Sequence, residues 1–249
     1  NPGGGVVVYN TANTLSDPND DSWYHLTSGA GFGNLPSNNV LSIAKDKNNE
    51  IWIGTDNGIA IAGNCTAPFT QSPPCDAQVP IVQYDKYAGY LFEGNTVNAI
   101  AVDGANRKWV GTNDGVWLLS EDAQKIIYRF TVDNSPLPSN RIRKISVDKI
   151  TGDVYFGTEL GVVSFHSTAT EGGTTNQSVT ILPNPVPTGF AGTIAIKGLV
   201  ENADVRITDM SGQLVYKTKA LGGQAIWNGY DYTGRRPQSG VYIVFVANS

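Results

Sequence analysis

Two histidines and two cysteines among 249 residues leave this chain few side chains for chemistry at neutral pH. His25 and His166 are the available bases, and each stands in or beside a short alternating apolar run with no nucleophile motif around it. A catalytic triad, a phosphate-cradling glycine loop and metal ligands at the usual spacings are all lacking, which predicts a non-enzyme without cofactor or metal. Two oxygen-rich groups, Asp17, Asp20 and Asp21, and Asp46, Asn48 and Glu50, have Ca²⁺-type ligands but not the loop pattern with its obligatory glycine. Solvated turns are the plainer account of both. Asp148 and Glu159 are carboxylates of the kind glycoside hydrolysis pairs across a cleft. Tyr84, Tyr87 and Tyr90 could stack on sugar rings or pack beneath neighbouring structure. Cys65 and Cys75 lie in a Pro-rich loop, 64–80, without CxxC spacing or a nearby histidine. They read as a loop-closing disulfide of an exported protein, or else as two idle thiols.

What must position these groups is a repeat. Glu50-Ile-Trp-Ile-Gly-Thr-Asp-Asn-Gly58 returns as Arg107-Lys-Trp-Val-Gly-Thr-Asn-Asp-Gly115 and as Asp153-Val-Tyr-Phe-Gly-Thr-Glu-Leu-Gly161. The Gly-Thr pairs are 57 and then 46 residues apart, a period of β-propeller blades. Upstream of each copy an alternating run ends in Asp46, Asp103 or Asp148, which predicts a strand entering a hairpin. Trp52, Trp109 and Tyr155 are expected to pack between blades. Gly54-Thr55, Gly111-Thr112 and Gly157-Thr158 are expected to let backbones approach where a Cβ would not fit. The following glycine makes a tight turn into a third apolar strand.

The chain is all-β in composition, with 40% apolar residues, 28 glycines and a single methionine. A net charge of −5 with no Lys/Arg cluster argues against a nucleic-acid partner. No apolar run is long enough for a transmembrane segment. Gly5-Val-Val-Val-Tyr9 matches the third strands that follow Gly58 and Gly115, so the first blade is expected to start half-way through. About three four-stranded blades are then visible where propellers close with four to eight. The expectation is a partial propeller whose end blades meet the remainder of a longer chain or a second copy.

Residues 1–166 are read as blades, 167–178 as a small polar linker, and 179–249 as a small Ig-like β-sandwich of six alternating strands. Met210-Ser-Gly212 and Trp227-Asn-Gly229 are its expected hairpin turns, and Gly240–Val246 is its last strand.

Leu35-Pro-Ser-Asn38 and Leu137-Pro-Ser-Asn140, with Trp-Ile-Gly-Thr-x-x-Gly, make the first part resemble the two-component-regulator propeller repeat. The second part resembles the C-terminal sorting domain of the type IX secretion system of Bacteroidetes. The matching features are Pro183-Asn184-Pro185, Asp209 with Gly212, Trp227 with Gly229, and the strand of Gly240 and Tyr242. The combination resembles the PorZ-type family of that system's attachment complex. The resemblance implies an exported, non-catalytic protein on the extracellular side of the outer membrane. Its implied partners are attachment-complex or translocon proteins and anionic lipopolysaccharide. The other reading is a secreted cargo whose propeller binds or degrades polysaccharide.

Overall fold

The computed structural model describes residues 4–63, 75–84, 87–176 and 178–248, and every regular element among them is a β-strand. β1 (Val6–Asn10) and β2 (Ser22–Leu26) form an antiparallel pair with Tyr9 opposite Trp23. β3 (Val40–Lys45), β4 (Ile51–Thr55) and β5 (Gly58–Ala62) make a three-stranded sheet, and β6 (Ile81–Tyr84) pairs only with β7 (Tyr87–Tyr90). β8 (Val97–Val102), β9 (Lys108–Thr112), β10 (Gly115–Leu119) and β11 (Ile126–Phe130) form a full four-stranded meander. β12 (Ile142–Val147), β13 (Asp153–Thr158) and β14 (Gly161–His166) repeat its first three strands. β15 (Thr180–Leu182), β16 (Ile194–Lys197), β17 (Asp204–Thr208), β18 (Leu214–Lys219), β19 (Gln224–Trp227) and β20 (Ile243–Ala247) complete the chain. The fold is all-β, and its repeated sheets are blades of propeller type.

The chain falls into two compact units. The first comprises 1–102, 107–146 and 155–164, and the second comprises 103–106, 147–154 and 165–249.

In the first unit the repeated residues do repeated work. Each Gly-Thr threonine staples its own hairpin turn: Thr55 Oγ1 donates to Gly58 O at 2.9 Å, Thr112 to Gly115 O at 3.1 Å and Thr158 to Gly161 O at 2.8 Å. The same hydroxyls accept the N–H of Asn57, Asp114 and Leu160. Gly58 and Gly115 sit at φ of 113° and 112°, where a Cβ would be strained. Asn38 Oδ1 accepts Ser28 N–H while its carbonyl accepts Gly5 N–H, and Asn140 does the same for Val132 and Gly115. The Leu-Pro-Ser-Asn segments therefore tie an outer loop to the start of a third strand, and β1 occupies the place of β10.

One expected blade is built differently. β6 does not join β3–β5 as a fourth strand; among the described residues a single bridge, Ile61 to Gln78, connects the insertion to that sheet. Pro80 interrupts the run before β6, because a residue without an N–H cannot continue the ladder.

In the second unit, β15-β16-β19 and β18-β17-β20 form two three-stranded sheets. They share one core of Ile194, Ile196, Leu199, Val205, Ile207, Val215 and Trp227, against which Tyr242, Val244 and Val246 pack. The 167–178 segment is not a free linker: Ser167, Ala169 and Thr170 are buried, and Gly173 N–H donates to Leu199 O. The turn after Trp227 joins no hairpin, since β19 pairs with β16 and the next strand, β20, pairs with β17. Trp227 Nε1 closes that turn instead, donating to Tyr230 O at 2.7 Å. Gly240 and Tyr242 precede β20 rather than lying in it.

Candidate functional site

The largest investment of polar groups lies at the seam between β3–β5 and β8–β11, inside the first unit. Asp46 ends β3 and takes the N–H groups of Asn48 and Glu50 at 2.9 Å each on Oδ1, the usual reward for an Asp opening a tight turn. Its other oxygen faces the core. There it accepts Trp52 Nε1–H at 3.2 Å and meets Lys108 Nζ at 2.9 Å, both charged side chains being fully buried. Lys108 also donates to Glu121 O at 2.8 Å and sits 4.7 Å above the Trp52 ring. Burial pushes the Asp46 carboxyl up, but the Lys108 hydrogen bond and charge, with the Glu50 and Trp52 donors, outweigh it and hold the group below the usual 3.8. Such a network is worth having only when every member is satisfied, and here each has a partner.

Above this seam opens a cleft of about 920 Å³ lined by Asn48, Glu50, Gln78, Ile81, Glu121 and Asp122 among others. Asn48 Nδ2 bridges it to Glu121 Oε1 at 3.3 Å. A second cleft of about 730 Å³ has Asn57, Asp76, Ile81, Tyr90 and Glu93 in its wall. Both clefts mix amides and carboxylates with apolar wall, and the second also holds the Tyr90 ring.

The residues singled out for hydrolytic chemistry do not converge on such a task. His25 Nε2 lies 2.6 Å from Gly4 O, and His166 Nδ1 lies 2.7 Å from Asp153 Oδ1. The histidine hydrogen bond holds Asp153 below its ordinary value. Asp148 is spent on the N–H groups of Ile150 and Thr151, which lower its pKa, and Glu159 is paired with Arg141 and Arg143. Asp17 caps Asn19, Asp20 takes the Thr14 hydroxyl and Asp21 that of Tyr9. Among the described residues no three His, Cys, Asp or Glu side chains are grouped to hold a metal ion. Cys75 is disulfide-bonded, while Cys65 lies outside the described residues. Of the three tyrosines, Tyr90 is half-exposed in the second cleft; the side chains of Tyr84 and Tyr87 fall outside the description.

The repeated aromatics part company. Trp52 and Trp109 are 1% and 0% exposed, and Trp109 lies 5.5 Å from the Phe156 ring of the next blade. At ~25 cal/mol per Å² over roughly 150–250 Å², each such ring stabilises the seam by up to about 4–6 kcal/mol. Tyr155, expected in the same role, is 42% exposed, and its neighbours Val154 and Phe156 are the buried residues of that strand. Nothing among the described residues covers that side of the last blade.

In the second unit, Asp209 accepts Ser211 and Gln213 N–H groups around Gly212, and Asp231 accepts those of Thr233 and Arg235 around Gly234. Met210 and Tyr232, at matching places in these twin turns, are 68% and 70% exposed beside a groove of about 540 Å³. Trp227 stands between Tyr216 and Tyr242, at 6.4 and 5.8 Å. Pro183, Asn184 and Pro185 follow β15, with both proline peptides cis, and Gly229 turns the chain at φ 78°.

Lys108 escaped sequence reasoning. The signal was present, since a lysine occupies a position held by Ile51 and Val154 in the other two copies.

The profile of the two component regulator propeller family matches residues 34–57, which span the seam strand β4. No curated protein matches the chain. Among solved structures, PorZ of Porphyromonas gingivalis, described as a bacterial surface component of the type-IX secretion system, is 32% identical with a TM-score of 0.67. The match covers 97% of this chain and 33% of PorZ, so the chain spans about a third of that protein's length. The extracellular domain assigned to a one component system of B. thetaiotaomicron is 17% identical, over 82% of this chain and 26% of its own, at a TM-score of 0.43. The propeller part of this chain is PorZ-like.

Proposed function

We propose that this chain belongs to a non-catalytic cell-surface component of the type IX secretion apparatus. In this reading the blades and their clefts bind attachment-complex or translocon proteins, or anionic lipopolysaccharide, on the extracellular side of the outer membrane. The second unit is the sorting-type domain, an Ig-like sandwich whose edge strand β20 accepts a partner strand. The observation that carries the reading is the 32% identity to PorZ running over 97% of the chain, through both units. The carboxylates spent on turns and ion pairs support it further.

The test is a deletion of 179–249 in the producing bacterium. Surface assembly of cargo is expected to fail while the blades stay folded; unchanged surface display refutes the proposal. A second reading, a secreted cargo with a polysaccharide-binding propeller, is favoured by the polar clefts around Tyr90 and Glu121. Hydrolysis of a glycan panel by the purified protein, lost on changing one carboxylate, would establish a degrading version of it.

A further inference from the structure

The two clefts of the first unit meet in one surface. Gln78, Val79 and Ile81 line both, so the clefts adjoin across the segment that enters β6. The ribbon of β6 and β7 is firmly seated there. Val82 is 2% exposed within the core that holds Trp52, Ile59, Leu91 and Phe92, and Leu91 N–H donates to Pro80 O at 2.8 Å. Ile81 and Tyr90 stand directly opposite each other across the ribbon, and they are 54% and 50% exposed. An anchored ribbon that holds an isoleucine against a tyrosine in solvent marks a contact surface.

The rim of that surface is acidic. Asp76 and Glu93 line one cleft, and Glu50, Glu121 and Asp122 line the other. Among the described residues neither lining holds a lysine, an arginine or a histidine. The Ser120 hydroxyl and the Gln124 N–H hold the Asp122 carboxyl below its ordinary value, and Lys125 offsets part of its charge from outside the cleft. Asp76 is fixed in place by the N–H groups of Gly31 and Gly33. The neighbouring stretch 64–74 contains no charged residue, so its sequence supplies no counter-ion.

We propose that this surface docks a basic segment of a partner protein, with an apolar side chain against Ile81 and Tyr90 and lysine or arginine side chains in the two acidic clefts. This rests on the reading that the blades bind components of the secretion apparatus, and it selects protein over lipopolysaccharide for this surface. Carboxylates on both sides repel an anionic polysaccharide and attract ammonium or guanidinium groups, to which the half-exposed Tyr90 ring adds a cation–π contact. Ile81 gives a sugar ring no hydrogen bond and gives an apolar side chain a partner. A second copy is the wrong occupant by charge, since the chain carries a net −5.

The test places Ile81→p-benzoylphenylalanine in the full-length protein in the producing bacterium and maps the cross-link by mass spectrometry. It is expected to reach an apolar residue of another protein flanked on both sides by lysine or arginine. Cross-links to polysaccharide, to a second copy or to a segment without such flanks overturn the proposal, as does the absence of any cross-link. Adding Glu93→Lys with Glu121→Lys, one carboxylate from each cleft, is expected to lower the yield at least about tenfold, and Glu93→Gln with Glu121→Gln by less. The glutamine pair carries the test if the lysine pair unfolds, and a yield equal to wild type in either folded pair overturns the proposal. A flanked basic segment in a protein unrelated to secretion upholds this docking chemistry and refutes the proposed function. An attachment-complex protein joined through a neutral or acidic segment does the reverse.

Discussion

Replacing Lys108 by Met keeps most of the side-chain volume and removes the cation paired with Asp46. The carboxylate would then be buried with three neutral donors, the N–H groups of Asn48 and Glu50 and the Trp52 indole, but without a counter-charge. Breaking one side of a buried ion pair costs about 3–5 kcal/mol, chiefly through the uncompensated charge. The three donors bring the expectation to the lower end, while loss of the Lys108 hydrogen bond to the Glu121 carbonyl adds about 1 kcal/mol. A net loss of ~3–5 kcal/mol corresponds to roughly 6–20 °C in Tm for a unit of this size. Denaturant titration followed by tryptophan fluorescence reads it directly, because Trp52 and Trp109 are buried at the seam.

The charge argument also fixes two signs. Adding Asp46→Asn to Lys108→Met removes the stranded charge yet keeps an acceptor for the turn, so the double variant should be more stable than the single one at pH 7. In the wild type, Asp46 has a depressed folded pKa, so its contribution is present above about 4 and is lost as pH falls through the lower folded value. In Lys108→Met, burial without the lysine raises that pKa, so the deficit should shrink as pH falls from 7 toward 4. A single variant within about 0.5 kcal/mol of wild type, or a double variant that is worse by simple addition, refutes the account.

Thr112→Val leaves a buried turn without its staple and should cost about 1–3 kcal/mol by thermal melting, more than the same change at half-exposed Thr158. Asp231→Ala should release the N–H groups of Thr233 and Arg235 and raise hydrogen exchange at 231–235 well above that at the intact Asp209 turn. Reduction of the purified protein should expose two thiols to labelling and cost about 2–3 kcal/mol if chain entropy dominates. Labelling of the native, unreduced protein at either cysteine would contradict the bonded state of Cys75.

Repetition made the blades legible. A residue type recurring at fixed register, such as the Gly-Thr pair, signals a backbone requirement that one copy alone would not distinguish from chance. The parts that sequence left open are those where copies differ or do not exist. The insertion before β6 has no second copy, so the loss of a fourth strand there could not be read from its alternation. The polar 167–178 segment suggested freedom because its residues are small, whereas burial of Ser167 and Ala169 depends on which surface lies against them. Clefts depend on several loops meeting, and no single stretch announces that.

The two departures from the repeat carry opposite information. Lys108 departs in sequence and is fully buried, so the structure absorbs the change by supplying Asp46, the Glu121 carbonyl and the Trp52 ring. An apolar residue at that place would leave the Asp46 carboxylate buried without its cation. Tyr155 departs in environment while its strand keeps the pattern of glycine, threonine and turn. A side chain that retains the repeat's chemistry without its burial points to a contact that the described residues do not make.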